Sequence, residues 1–76
     1  MKDLLEFLAR SLVDHPDQVR VEEKESSDGV VLRLSVAQED IGKVIGKQGR
    51  IARALRTVVK ASAVKEGKQA TVEIVD

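Results

Sequence analysis

The segment that most constrains this chain is residues 41–50, IGKVIGKQGR, where three glycines and three basic residues lie among aliphatic residues. A glycine inside a helix or strand costs about 1 kcal/mol relative to alanine. Gly46-Lys47-Gln48-Gly49 therefore predicts a break between two helices. Because neither glycine carries a Cβ, the backbone here can be approached closely, which predicts a contact with another molecule.

Hydrophobic periodicity places a helix on each side of this break. A short helix at about 38–45 carries Ile41, Val44 and Ile45, and a longer one covers about 50–63. The longer helix has apolar residues at i, i+3, i+4, i+7 and i+8 spacing, which predicts one buried stripe. Its predicted members are Ile51, Ala54, Leu55, Val58 and Val59.

The remaining elements follow from the same patterns. Leucines at helical spacing predict a helix over 2–13, and apolar-polar alternation predicts strands over 18–25, 30–36 and 69–75. The Asp28-Gly29 pair predicts a hairpin turn between the first two strands. A right-handed crossover through the two later helices would make the last strand parallel to its neighbour. We expect an α+β fold, α-β-β-α-α-β, with helices on one face of a three-stranded mixed sheet and residues 1–76 in a single domain.

Composition restricts the function. The chain has one Phe and no Trp, Tyr or Cys, which excludes disulfides and cysteine-based zinc sites. No nucleophile-base pair or set of paired carboxylates is evident, and His15 has the pattern of a turn residue beside Pro16. We therefore expect no enzymatic activity, no catalytic or metal-binding residues and no cofactor. The absence of a membrane span or signal peptide in the sequence predicts a soluble cytoplasmic protein.

Charge is segregated along the chain although the net charge is zero. Residues 1–40 carry five basic and ten acidic residues, whereas residues 41–65 carry seven basic residues and no acid. This pattern suggests a basic face for phosphates. Mutual neutralisation of the two halves in the fold is an equally open interpretation.

Glycine-rich turns before helices occur in three kinds of phosphate site. The spacing at residues 42, 46 and 49 matches neither a nucleotide P-loop nor a dinucleotide fingerprint. It matches G-x-x-G between two helices, which packs a nucleic-acid backbone against the loop. An aliphatic groove between the first of these helices and the 30–36 strand would take the bases. The predicted nucleic-acid contacts are Ile41, Lys43, Val44, Ile45, Gly46, Lys47, Gln48, Gly49, Arg50 and Arg53.

Each assignment has a structural alternative. Gly46 and Gly49 could form a helix corner, although a corner needs one glycine. We expect Gly42 to serve close packing of the short helix. Of Val44 and Ile45, one is expected to face the core and one the groove. Further basic residues of the long helix have the pattern of a solvated face; these are Arg56, Lys60 and Lys65.

The run GKVIGKQGRIARALRTVV resembles the V-I-G-x-x-G region of the KH domain, an RNA-binding module. The element order is similar to the type II KH arrangement, and over essentially the whole chain the sequence resembles the small bacterial KH proteins of the KhpA family. The resemblance implies binding of single-stranded RNA, with about four nucleotides in the groove. It also implies a homodimer and a heterodimer with a larger KH protein of the KhpB (Jag) type.

The expected function is therefore that of an RNA-binding protein, as an RNA chaperone or post-transcriptional regulator. The alternative is a protein-interaction module that keeps the KH shape, works mainly by dimerising and has little RNA affinity.

Overall fold

The computed structural model describes residues 1–27 and 29–75, with all side chains in these ranges except those of Lys47 and Gln48. In chain order it contains helix α1 (Lys2–Leu12), a 3-10 turn (Pro16–Gln18), strand β1 (Arg20–Ser26), strand β2 (Gly29–Ser35), helix α2 (Gln38–Lys65) and strand β3 (Ala70–Val75). None of the described helices is both long and apolar enough to cross a membrane.

The three strands form one mixed sheet in the order β1-β2-β3. β1 pairs antiparallel with β2, with Ser26 opposite Gly29 at the hairpin end, and β2 pairs parallel with β3. The predicted α+β class and mixed sheet are thus confirmed. The predicted hairpin turn includes Asp28, which lies outside the described residues.

The core lies between the helices and one face of the sheet. Leu5 and Ala9 of α1 and Leu55 of α2 are among its buried residues. Alternate residues of the strands, which share one face of a sheet, complete it; they include Val21, Val30, Leu32, Leu34 and Val72. The opposite face of the sheet is mainly polar and carries an Arg33–Glu73 ion pair with an Nε–Oε1 distance of 3.5 Å.

The buried stripe of α2 differs from the predicted one. Ala54 is exposed and Val58 is 37% exposed, so their assignment to the core was wrong, and Ile51 is half-buried. The residues that α2 buries after Gly49 follow the spacing i, i+3, i+7 and i+11; they are Ala52, Leu55, Val59 and Ala63. Because two of them are alanines, whose apolar signal is weak, the more hydrophobic flank of the helix was mistaken for its buried face.

Helix α2 runs from Gln38 to Lys65 without a loop, but the backbone at Gly49 is not right-handed. The φ angle of Gly49 is +69°, in the left-handed region that side chains with a Cβ disfavour. Gly49 therefore divides α2 into a first arm, residues 38–48, and a second arm, residues 50–65, which together give the predicted α-β-β-α-α-β order. The predicted four-residue break is wrong in extent, because residues 46–48 remain helical.

The end of α2 is fixed by a glycine cap. The N–H of Gly67 donates to the carbonyl of Val64 at 3.0 Å, and the N–H of Lys68 donates to the carbonyl of Ala63 at 2.8 Å. With φ of +72° at Gly67, this is the paired arrangement of a Schellman motif. It turns the chain back so that β3 runs beside α2.

Candidate nucleic-acid interface

The first arm of α2 is attached to the turn after α1 by a buried carboxylate. Asp40 is 1% exposed, and its two oxygens accept hydrogen bonds from the backbone N–H groups of Asp14 (3.1 Å) and His15 (3.0 Å). Two exposed contacts flank it: Lys43 Nζ to Asp14 Oδ1 at 3.1 Å, and His15 Nε2 to Glu39 Oε2 at 3.4 Å. We call these contacts the Asp40 clasp. They set the position and rotation of the first arm.

Asp40 was missed as a site-forming residue. The sequence shows it only as an acid in the first turn of a helix, a position that the helix dipole favours for any carboxylate. Its hydrogen-bond partners lie 25 and 26 residues away in the chain. The one available signal was an acid at the start of a helix, in a chain that also has an Asp-His-Pro turn. The backbone N–H groups of such a turn need hydrogen-bond acceptors.

The aliphatic residues of the first arm are divided between core and surface. Val44 is 1% exposed and belongs to the core, whereas Ile45 is 47% exposed. This confirms the prediction that the pair would be split, and it means that the prediction of Val44 as a nucleic-acid contact was wrong, because a side chain buried in the core cannot contact RNA. Ile41 lies four residues before Ile45, on the same flank, since residues at i and i+4 neighbour each other on a helix. Ile41 and Ile45 form what we call the aliphatic flank.

Ile41 of the aliphatic flank borders a shallow cleft of about 320 Å³. Its lining residues come from the ends of β2 and β3 and the start of α2; they are Ser35, Val36, Gln38, Ile41 and Val75. Ser35 and Val36 agree with the predicted wall at 30–36, whereas the contribution of β3 was not predicted. The parallel partner strand β3 ends at the same edge as β2, so it contributes to the wall as well.

Lys43 lies away from the aliphatic flank. At about 100° per residue, it is about 200° around the helix from both Ile41 and Ile45. Its ammonium group contacts Asp14 instead. The structure therefore brings Lys43 together with the Asp40 clasp and not with the other predicted contacts.

The two glycines of the predicted loop have different surroundings. Gly49 is required by its positive φ, whereas Gly46 has ordinary helical backbone. At Gly46, a Cβ built on the backbone would meet no described atom within 4 Å. The same holds for Gly42, which is exposed, so the expectation that Gly42 permits close packing within the chain is wrong.

The basic residues after Gly49 face solvent. Arg50 and Arg53 are exposed, and among the described residues neither forms an ion pair. The same is true of Arg56, Lys60 and Lys65. Of the seven basic residues in 41–65, Lys43 alone has a described carboxylate partner, so neutralisation by the acidic half is slight within the described chain. The side chains of Lys47 and Gln48 lie outside the described residues.

The described residues contain no cluster of three or more His, Asp or Glu side chains that could hold a metal ion. His15 contacts Glu39 in the clasp and has no hydroxyl nucleophile in the contacts that the structure describes. The geometry is that of a surface with exposed backbone, guanidinium groups and an apolar flank, which suits binding of an anionic polymer.

Comparison with known proteins agrees with this geometry. The family described as "KhpA/KhpB, KH domain" matches residues 2–74. RNA-binding protein KhpA of Clostridium acetobutylicum is 61% identical over 75 residues, which cover 99% of this chain and 100% of that protein. RNA-binding protein KhpA of Clostridium perfringens is 57% identical with the same coverage. RNA-binding protein KhpA of Bacillus subtilis is 49% identical over 76 residues, 100% of this chain and 94% of that protein.

No solved structure matches the chain at a significant level. The family match and the full-length relatives are sufficient for assignment, since each covers nearly all of the sequence. The chain therefore belongs to the KhpA/KhpB family of KH domains, a non-enzymatic family.

Proposed function

We propose that this protein binds single-stranded RNA across the segment from Gly46 to Gly49 and along the aliphatic flank, as an RNA chaperone or post-transcriptional regulator in the bacterial cytoplasm. The relatives named RNA-binding protein KhpA support the RNA-binding part of this proposal. The observation that carries it is the environment of Gly46.

Nothing in the described fold requires glycine at position 46. Its backbone is helical, and a Cβ there would meet open space. Alanine would therefore stabilise the helix by about 0.5–1 kcal/mol. Gly42 is equally open, but its neighbour Lys43 is paired with Asp14. Gly46 lies one helical turn before Arg50, an exposed cation without a described carboxylate partner, so an anionic backbone lying against Gly46 explains a glycine that costs stability and serves no internal contact.

The charges beside Gly46 and Gly49 suit phosphate groups. Arg50 and Arg53 are exposed, and guanidinium groups bind phosphate oxygens through paired N–H donors. We assign Lys47 and Gln48 to the same phosphate contact, from their positions between the two glycines. These contacts hold any RNA sequence, because the phosphates carry no base identity.

The aliphatic flank would receive the bases. Ile45 is 47% exposed and Ile41 lines the cleft that ends at Val75. With no Trp or Tyr in the chain and one Phe, on α1, stacking on aromatic rings contributes little in this cleft. Weak contacts of low base preference fit a protein that binds and releases many RNAs, as a chaperone does.

The test compares two alanine substitutions one helical turn apart. Gly46→Ala is expected to raise the melting temperature and to lower the affinity for a labelled single-stranded RNA by about tenfold, as for other lost close contacts of 1–1.5 kcal/mol. Gly42→Ala, at an equally open position of the same arm, should raise stability alone. Fluorescence anisotropy measures binding, and circular dichroism measures unfolding.

A charge-reversing variant provides the second arm of this test. Lys47→Asp with Gln48→Asp should abolish RNA retention while leaving the melting temperature nearly unchanged. For the wild-type chain, log affinity should fall linearly with log salt, with a slope of about −0.7 per phosphate contacted. RNA binding undiminished by the double variant and by Gly46→Ala would refute the proposal.

A second function is favoured by one exposed apolar face. Phe7 is 67% exposed, and Leu4 and Leu12 of the same helix are 36% and 38% exposed. Leu4, Phe7 and the half-buried Leu8 share one flank of α1 by their i, i+3, i+4 spacing. We propose that this flank takes part in homodimerisation or in pairing with a KhpB-type protein.

Sedimentation of the free protein tests the association. A concentration-dependent dimer that Phe7→Ser weakens, with RNA affinity per chain unchanged, supports a separate interaction face. A protein that remains monomeric at all concentrations, alone and with a KhpB-type partner, contradicts this second function.

A further inference from the structure

A second cleft lies at the opposite end of α2 from the aliphatic flank. It has a volume of about 300 Å³ and is lined by Lys60, Val64, Lys68, Gln69, Ala70 and Thr71. We propose that this cleft, which we call the distal cleft, is a second nucleotide-binding subsite that extends the RNA path beyond Gly46 and Gly49. The inference rests on the proposed RNA binding and concerns how long a segment of RNA the protein contacts.

The apolar part of the distal cleft is Val64. It is 76% exposed, the highest value among the large apolar side chains that the structure describes. It lies on the last turn of α2, immediately before the glycine cap, where a polar residue would serve the helix equally well. An exposed valine beside a cleft offers an apolar surface to one face of a base.

The charged part consists of two lysines on either side of Val64. Lys60 lies one helical turn before Val64, and within the described chain no carboxylate pairs with its ammonium group. Lys68 contacts Glu25 at an Nζ–Oε1 distance of 3.6 Å with 44% of its side chain exposed, so it stays accessible. An apolar surface between cations fits a nucleotide, which combines a flat base with an anionic phosphate.

The distal cleft is continuous with the basic residues near Gly49. Arg53, Lys60 and Val64 are spaced i, i+7 and i+11, which places all three within about 40° on one face of the second arm. The same geometry gives about 16 Å along the axis from Arg53 to Val64. A strand that leaves Gly49 along Arg53 therefore reaches the distal cleft without crossing the helix.

The charge pattern favours RNA over a protein segment as the occupant. Residues 41–65 contain no acid, so every charge that α2 contributes along this path is positive. A peptide would need a matching acidic stretch beside an apolar anchor, whereas any RNA has one anionic group per nucleotide. We therefore assign the distal cleft to the continuation of the same RNA strand.

The experiment compares labelled RNAs of four and eight nucleotides with one mixed sequence. The wild-type chain should bind the octanucleotide with a steeper salt slope, by about 0.7 for each added phosphate contact. Lys60→Gln with Val64→Gln should weaken octanucleotide binding by about fivefold to tenfold, as expected for loss of an exposed ionic contact and an apolar contact. Binding of the tetranucleotide should change by less than about twofold on the same reasoning.

Lys65→Gln is the matched control. It removes one positive charge next to Val64, but Lys65 lies about 100° further round the helix, away from the face shared with Arg53. It should leave the octanucleotide affinity within about twofold of wild type, the range of an exposed charge. In nuclear magnetic resonance spectra, the octanucleotide but not the tetranucleotide should shift the amide signals of Thr71 and Gln69.

The outcomes separate the inference from the function on which it rests. Equal affinities of the wild-type protein for both RNAs overturn the role of the distal cleft while RNA binding stands. Equal losses of octanucleotide affinity in the Lys60/Val64 and Lys65 variants do the same. Loss of self-association in the Lys60/Val64 variant with octanucleotide binding intact also overturns it, in favour of a protein contact. Failure of wild-type protein to bind either RNA overturns both.

Discussion

Replacement of Asp40 by asparagine tests the Asp40 clasp with almost no change in side-chain volume. The carboxylate accepts two backbone hydrogen bonds of 3.1 and 3.0 Å at a position that is 1% exposed. An asparagine has one oxygen for two N–H donors, and its own NH₂ group must face the second donor. One backbone N–H, of Asp14 or His15, is therefore left without an acceptor.

The expected loss of stability follows from that count. An unsatisfied buried donor costs about 1–3 kcal/mol, and the remaining bond loses its ionic character. We expect the free energy of unfolding to fall by about 2 kcal/mol, which corresponds to about 8–16 °C in Tm for a domain of this size. Urea unfolding followed by circular dichroism at 222 nm measures the change.

Glu39→Gln is the control, since it alters the neighbouring acid. Glu39 is 68% exposed at its side chain and contacts His15 at 3.4 Å, so its loss should cost less than about 1 kcal/mol. Hydrogen exchange supplies a local measurement, in which the amides of Asp14 and His15 should lose protection first in Asp40→Asn. Equal destabilisation by the two substitutions, with no selective loss of protection at these amides, would refute the assigned role of Asp40.

Three further predictions concern single residues. Gly49→Ala should lower the free energy of unfolding by about 1–2 kcal/mol, because alanine is strained at φ of +69°. An unchanged urea midpoint would contradict the division of α2 at Gly49. Gly67→Ala should cost about 1 kcal/mol through the C-terminal cap of α2, seen as a lower Tm with faster exchange at Lys68, and an unaltered Tm would speak against the cap. Lys43→Gln should lower stability by less than about 1 kcal/mol and leave RNA affinity within about threefold of wild type, since the ammonium group of Lys43 contacts Asp14. A tenfold loss of affinity would instead indicate that Lys43 contacts RNA.

Local sequence patterns were sufficient to predict the helices and strands and the order of the strands in the sheet. Strand β2 shows why: Val30, Leu32 and Leu34 alternate strictly and are all buried. Such signals depend only on neighbouring residues. The turn of α2 was also identified, although the sequence could not show which of two glycines adopts the positive φ, because either would tolerate it.

What could not be predicted depends on contacts between distant segments. The rotation of the first arm is fixed where Asp40 meets the backbone of residues 14 and 15, far away in sequence. This rotation puts Lys43 beside Asp14 and leaves Ile45 exposed. Basic composition near a glycine motif predicted Lys43 as a nucleic-acid contact, but composition carries no information about which side of a helix a residue occupies.

The Asp40 clasp and the two glycines together define how the candidate site is built. Val44 and Asp40 face inward, and that orientation leaves the aliphatic flank outside, with Ile41 in the cleft beside the end of β3. A turn of the first arm by one residue, about 100°, would move this flank away from the cleft. Gly49 then redirects the chain so that Arg53 follows on the second arm. The affinity of the proposed site for RNA therefore depends on a carboxylate that is too deeply buried to contact RNA itself.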